Sequence, residues 1–140
     1  MVLAADDDAD DRLLIQKAFK RACISGDLVC VEDGIELMKY LKRNVPYTDE
    51  DQFPLPRIIL LDLNMPKKDG REALREIKAD EDLRKIPVIV FTTSLSQEDI
   101  DKSYQLGGNS YITKPSSFDD LIQIAKEIES YWFRTVKLPV

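Results

Sequence analysis

Five short aliphatic runs, each followed by a segment of helical periodicity, constrain this chain more than any other feature. The runs are "VLAA" (2–5), "LVCV" (28–31), "IILL" (58–61), "IPVIVFTTS" (86–94) and "NSYIT" (109–113). They are too short for ordinary helices, and nothing polar interrupts Ile58 to Leu61, which reads as a strand buried on both faces. Between them, residues 9 to 23 place Leu14, Ala18 and Ala22 at i, i+4 and i+8, and "IELMKYL" places Ile35, Met38 and Leu41 on one side. A third helix is expected over about 70–80, with Ala73, Leu74 and Ile77 inward, and a fourth over 96–106, opened by Ser96 and closed by Gly107-Gly108. The last is expected over about 117–133, starting from Ser116 or Ser117 and carrying Phe118, Leu121, Ile122, Ala125, Ile128 and Trp132. Residues 44–56 hold three prolines and read as a polar loop. Strictly alternating strands and helices indicate an α/β fold, a doubly wound five-stranded parallel sheet with helices on both faces. The expectation is a single domain over 1–140, with a short tail at 134–140.

Composition narrows the chemistry. The chain contains no histidine, which removes histidine general bases, histidine metal sites and Ser-His-Asp triads. Its net charge of −6 argues against direct binding to nucleic acid or anionic membrane. No apolar run approaches the roughly 20 residues that cross a bilayer. Cys23 and Cys30 form no C-x-x-C pair and read as free thiols of a reducing cytoplasm.

In parallel α/β sheets the functional crevice lies outside the carboxyl ends of the strands. Strand one ends at Asp6-Asp7, strand three at Asp62, strand four at Thr92-Thr93, and strand five leads to Lys114. Three carboxylates, a hydroxyl and an ammonium from distant segments therefore meet at one edge. Clustered carboxylates repel unless a cation neutralises them. Oxygen-only ligands suit a hard ion, and Mg²⁺ fits better than Zn²⁺ or copper. A carboxylate beside such an ion can attack a phosphoryl group, with lysine offsetting the charge on the phosphoryl oxygens and threonine donating to one of them. The set reads as a phosphoryl-accepting site.

These motifs, Asp6-Asp7, Asp62 in "LLDLNMPKKDG", Thr92 in "IVFTTS" and Lys114 in "YITKP", resemble the receiver domains of two-component response regulators over nearly the whole chain. The resemblance implies a flavodoxin-like (βα)5 fold with strand order 2-1-3-4-5. It implies that Asp62 is the phosphoacceptor, that Asp7 ligates Mg²⁺ directly and Asp6 through water, and that the backbone carbonyl of Asn64 supplies a further ligand. It also implies a Thr92–Tyr111 switch. The wording "NMPKKDGRE", the proline-bearing loop and the tail "IESYWFRTVKLP" are similar to single-domain regulators paired with cyanobacterial phytochromes. That likeness implies a phytochrome-like sensor histidine kinase as partner and a homodimer through the face of helix four, strand five and helix five. The expected product is a stand-alone cytoplasmic phosphorelay protein, not an enzyme in its own right. One departure stands out: Thr93 occupies a position where receivers usually carry alanine or glycine, a size increase expected to narrow access to the phosphoryl site.

Rival readings differ in class. An aspartate-nucleophile phosphatase wants a second acid two residues after the nucleophile, where this chain has Asn64. A degenerate receiver, binding partners without phosphorylation, would lack some of these acidic or switch positions. Asp8, Asp10 and Asp11 are expected to serve only a helix start, Asp69-Gly70 a turn and cap, and Lys67, Lys68, Arg71 and Glu72 a solvated surface.

Overall fold

The computed structural model describes residues 1–22, 24 and 26–139; Cys23, the end of the first expected helix, lies outside them. The elements run β1 (Val2–Ala5), α1 (Ala9–Arg21), β2 (Leu28–Val31), α2 (Gly34–Leu41), β3 (Ile58–Leu61), α3 (Gly70–Ala79), β4 (Val88–Thr92), α4 (Gln97–Gln105), β5 (Ser110–Thr113) and α5 (Phe118–Ile128). All strand pairs are parallel and the order is β2-β1-β3-β4-β5, as expected. The topology follows from apolar runs too short to be anything but strands, joined by helices long enough to cross back over the sheet.

Alternate strand residues face two separate cores. Leu3, Ala5, Ile59, Leu61, Val88 and Val90 pack with α2 and α3 through Leu37, Met38, Leu74 and Ile77. Val2, Ala4, Ile58, Leu60, Ile89 and Phe91 pack with α1 and α5 through Ile15, Ala18, Phe19, Leu121 and Ile128. Burying each such aliphatic side chain contributes roughly 1.5–3 kcal/mol. α4 is the exception, because Ser103 is its one buried residue. Each of α1 to α5 begins on a side-chain cap: Asp8, Asp33, Asp69, Ser96 and Ser117 each accept a hydrogen bond from a first-turn amide. Gly107, with φ of 102°, closes α4 in the left-handed region that favours glycine.

Two segments differ from expectation. The helix expected to run regularly over 117–133 is α-helical to Ile128 and then continues as a π-helix, Glu129–Thr135. The wider turn lets the adjacent Trp132 and Phe133 both reach the α1/α5 core, with the Arg57 guanidinium 5.2 Å from the Phe133 ring centre. The loop at 44–56 is not simply polar, since Tyr47 and Phe53 stack on Tyr40 of α2 with ring centres 5.0–5.9 Å apart. Tyr47 also donates to Glu36 Oε2 at 2.6 Å.

Candidate functional site: an acidic cluster bridged by one lysine

Register assembles the site. Ala5 pairs with both Val31 and Leu61, so Asp6 and Asp62 leave the sheet side by side; the Asp62 amide donates to the Ala5 carbonyl at 3.0 Å. Thr92 pairs with Thr113, and the Lys114 amide donates to the Thr92 carbonyl at 2.7 Å, which brings Lys114 to the same edge. The β3–α3 connection is pressed close behind Asp62. Gly70 donates its amide to Leu63 at 2.9 Å, and a β-carbon there would overlap the Asp62 carbonyl oxygen. Only glycine fits this approach.

The Lys114 ammonium binds Asp6 Oδ2 at 2.6 Å, Asp62 Oδ2 at 3.0 Å and Asp11 Oδ2 at 3.0 Å. Burial disfavours its charge, but the hydrogen bonds to Asp6 and Asp62 outweigh that and hold it protonated well above the usual lysine range. Asp6 is also shifted up, but by burial, which raises its carboxyl above the ordinary range even against the hydrogen bond from Lys114. Oxygens of Asp6, Asp7 and Asp62 lie within 4.8 Å of one another, two of the residues buried and Asp7 exposed. Three carboxylates served by one ammonium are a donor set with spare negative charge, which fits a divalent cation reached from the solvent side through Asp7.

The remaining expected residues surround this cluster. The Asn64 amide donates to Asp62 Oδ1 at 3.3 Å, so its backbone wraps the carboxylate. Thr92 is fully buried, and among the described residues its hydroxyl has no hydrogen-bond partner. Such an orphaned donor is costly unless it meets an acceptor in some state of the protein. Tyr111 is half-buried against the α2/α3 core and donates its hydroxyl to the Ser94 carbonyl at 3.0 Å. Thr93 is exposed.

Sequence reasoning missed three contributors. Asp11, expected only to start a helix, is one turn further along α1 than the cap and reaches Lys114. Arg71, expected in solvent, forks between Asp69 at 3.1 Å and Asp99 of α4 at 2.7 Å. Lys68, also expected in solvent, pairs with Glu76 at 2.6 Å. These partners are up to 103 residues apart in sequence, and no local pattern signals them. Asp69-Gly70 does serve as turn and helix cap.

A family model of the response regulator receiver domain matches residues 2–126. The chain belongs to that family. This receiver domain is 42% identical to response regulator Rcp1 of a Synechocystis species over 139 residues, 99% of this chain and 92% of the relative. The crystal structure of the Mn²⁺-bound form of Rcp1 superposes with a TM-score of 0.87 over 99% of this chain and 98% of that one. The phosphorylated cyanobacterial phytochrome response regulator RcpA gives a TM-score of 0.91 at 44% identity, covering 99% and 97%. Response regulator RPA3017, from red light signalling in R. palustris, gives 0.94 at 37% identity, again covering 99% and 97%. Among the described residues no helix of this receiver domain is long and apolar enough to cross a membrane.

Proposed function

We propose that this receiver domain takes a phosphoryl group onto Asp62 from a histidine kinase and uses it to switch a protein-interaction face. The observation that carries the reading is the Lys114 ammonium shared by Asp6 and Asp62, beside a buried Thr92 hydroxyl with no partner. An Asp62 carboxylate oxygen attacks the phosphorus of a phosphohistidine; the new O–P bond forms as the N–P bond breaks, and the imidazole leaves with the electron pair. Lys114 stabilises charge on the phosphoryl oxygens, and Thr92 donates the hydrogen bond that its burial otherwise wastes. Asp6, Asp7, Asp62 and the Asn64 carbonyl are the residues to hold Mg²⁺. When bound, that ion supplies positive charge against the phosphoryl oxygens. Exposed Thr93 borders the entrance and narrows it.

The likeness to RcpA and to a red-light regulator supports a phytochrome-type kinase as the donor. Leu95 and Tyr104, both largely exposed near α4, support a homodimer through the α4–β5–α5 face. Movement of Thr92 towards the phosphoryl group favours the inward Tyr111, and so one arrangement of that face over another. The protein then acts as a cytoplasmic phosphorelay component that binds other proteins, not DNA or membrane. Incubation with acetyl phosphate and Mg²⁺ should add one phosphoryl group per chain, and Asp62→Asn should add none. Full labelling of the variant would refute the assignment.

A further inference from the structure

α4 buries almost no apolar surface, so something other than a hydrophobic face must set its position. The polar contacts at its first turn are specific. Asp99 Oδ1 accepts from Arg71 Nη2 at 2.7 Å, and Asp99 Oδ2 accepts from Ser94 Oγ at 2.6 Å. The same Ser94 presents its carbonyl to the Tyr111 hydroxyl at 3.0 Å. At the other end, Arg71 Nη1 holds both carboxylate oxygens of Asp69, at 3.3 and 3.1 Å. Asp69 caps α3 immediately before Gly70, the residue pressed against the Asp62 backbone. The Arg71 and Asp99 side chains are 29% and 22% exposed, enough shielding for their charges to bind each other more strongly than a surface pair.

We propose that Arg71 and Asp99 are positioning residues that latch α4 to the backbone behind Asp62 and so hold Ser94 where Tyr111 docks. This rests on the reading of Asp62 as phosphoacceptor, and it adds a second path from that residue to the interaction face, one that bypasses Thr92. Displacement of the Asp62 backbone is passed through Gly70 and Asp69 to the guanidinium, because the glycine contact leaves no slack. The rigid fork of arginine passes it to Asp99, which lysine would not do with the same geometry. With the latch closed, docked Tyr111 is favoured; with it broken, α4 and the Ser94 carbonyl drift and Tyr111 loses its acceptor. By reciprocity the broken latch weakens whatever ligand at Asp62 prefers docked Tyr111.

The test compares wild type, Arg71→Met, Asp99→Asn, the double variant and Arg71→Lys as full chains. Amide hydrogen exchange over 97–106 is read first, without any phosphoryl mimic. We expect it to accelerate about tenfold in both single variants, no further in the double variant, and to be unrepaired by Arg71→Lys, while sheet amides keep their rates. Calorimetric titration with Mg²⁺ and beryllofluoride should then show affinity falling by a similar factor, on the order of tenfold within the usual 5–150-fold range of couplings. Unchanged α4 exchange, additive effects in the double variant, or sheet amides accelerating equally would overturn the latch. Accelerated exchange with wild-type beryllofluoride affinity would overturn its coupling to the site. Failure of wild type to bind beryllofluoride would instead refute the phosphoacceptor reading, with the latch still judged by exchange alone.

Discussion

Replacing Lys114 with methionine removes the charge that holds the acidic edge together while keeping most of the side-chain stem. Three carboxylates lose a partner, but not equally. The Asp11 side chain is 37% exposed and regains water at little cost. Asp6 and Asp62, at 2% and 9%, stay desolvated. Removing one partner of a buried pair costs about 3–5 kcal/mol, and protonation of the stranded acid limits that at about 1.4 kcal/mol for each unit its pKa rises. We therefore expect a loss of about 3 kcal/mol at about pH 7 in EDTA, read from urea unfolding. The pH dependence has a definite sign. The Asp6 carboxyl already lies above its ordinary range through burial and rises further without Lys114. A carboxyl of that kind contributes stability below its unfolded pKa and loses it as pH climbs through the folded value. The deficit should shrink towards about pH 4 and widen towards neutrality, while wild-type Lys114 stays charged across the whole window. Mg²⁺ should stabilise the variant more than wild type, because it meets uncompensated carboxylates and binds the native state alone. A deficit below about 0.5 kcal/mol, flat with pH and indifferent to Mg²⁺, would refute the reasoning, since ordinary surface changes are no larger.

Asp7→Ala should weaken Mg²⁺ binding in a calorimetric titration while leaving the unfolding midpoint nearly unchanged, because Asp7 is exposed. Thr92→Val should hold or raise stability by up to about 1 kcal/mol, since a buried hydroxyl without a partner is replaced by a methyl, yet should lose most of the beryllofluoride-induced shift in sedimentation. Gly70→Ala should cost at least the 1–3 kcal/mol typical of overpacking in thermal unfolding, because the new methyl meets backbone that cannot yield. In an ultraviolet titration Tyr40 and Tyr47 should both ionise late, Tyr40 raised by burial and Tyr47 pushed up to about 12 by burial and by its hydrogen bond to Glu36. Tyr47→Phe should remove one group from the late part of that titration and leave Tyr40 there, and the stability Tyr47 contributes at neutral pH should fade as pH rises beyond about 10 towards its folded value.

Most of the fold was legible because its signals are local. Unbroken aliphatic runs such as Ile58–Leu61 marked strands, and the acids ending them marked the edge where function collects. Thr92 and Lys114 were placed at that edge in the same way, one ending a strand and the other following one. What local pattern could not carry was pairing between elements. Arg71 and Asp99 look like any exposed charges on α3 and α4, and only the packing of those helices turns them into a bridge. Asp11 reaches Lys114 because one helical turn rotates it back over the strand ends, a matter of three-dimensional phase. The aromatic triad was hidden for a different reason: Tyr47 and Phe53 stand among prolines and acids that locally predict solvent. The π-helical turn at 129–135 answers to two adjacent aromatics seeking one core, a tertiary demand that overrides helical period.

The hydrogen bond between Lys114 and Asp6 joins residues 108 positions apart. Synthesis therefore delivers the acids of the first strand long before the cation that reconciles them. A nascent chain released from the ribosome up to β4 carries Asp6 and Asp62 without the lysine that bridges them. Closure of the acidic edge thus waits on β5 and the lysine just beyond it.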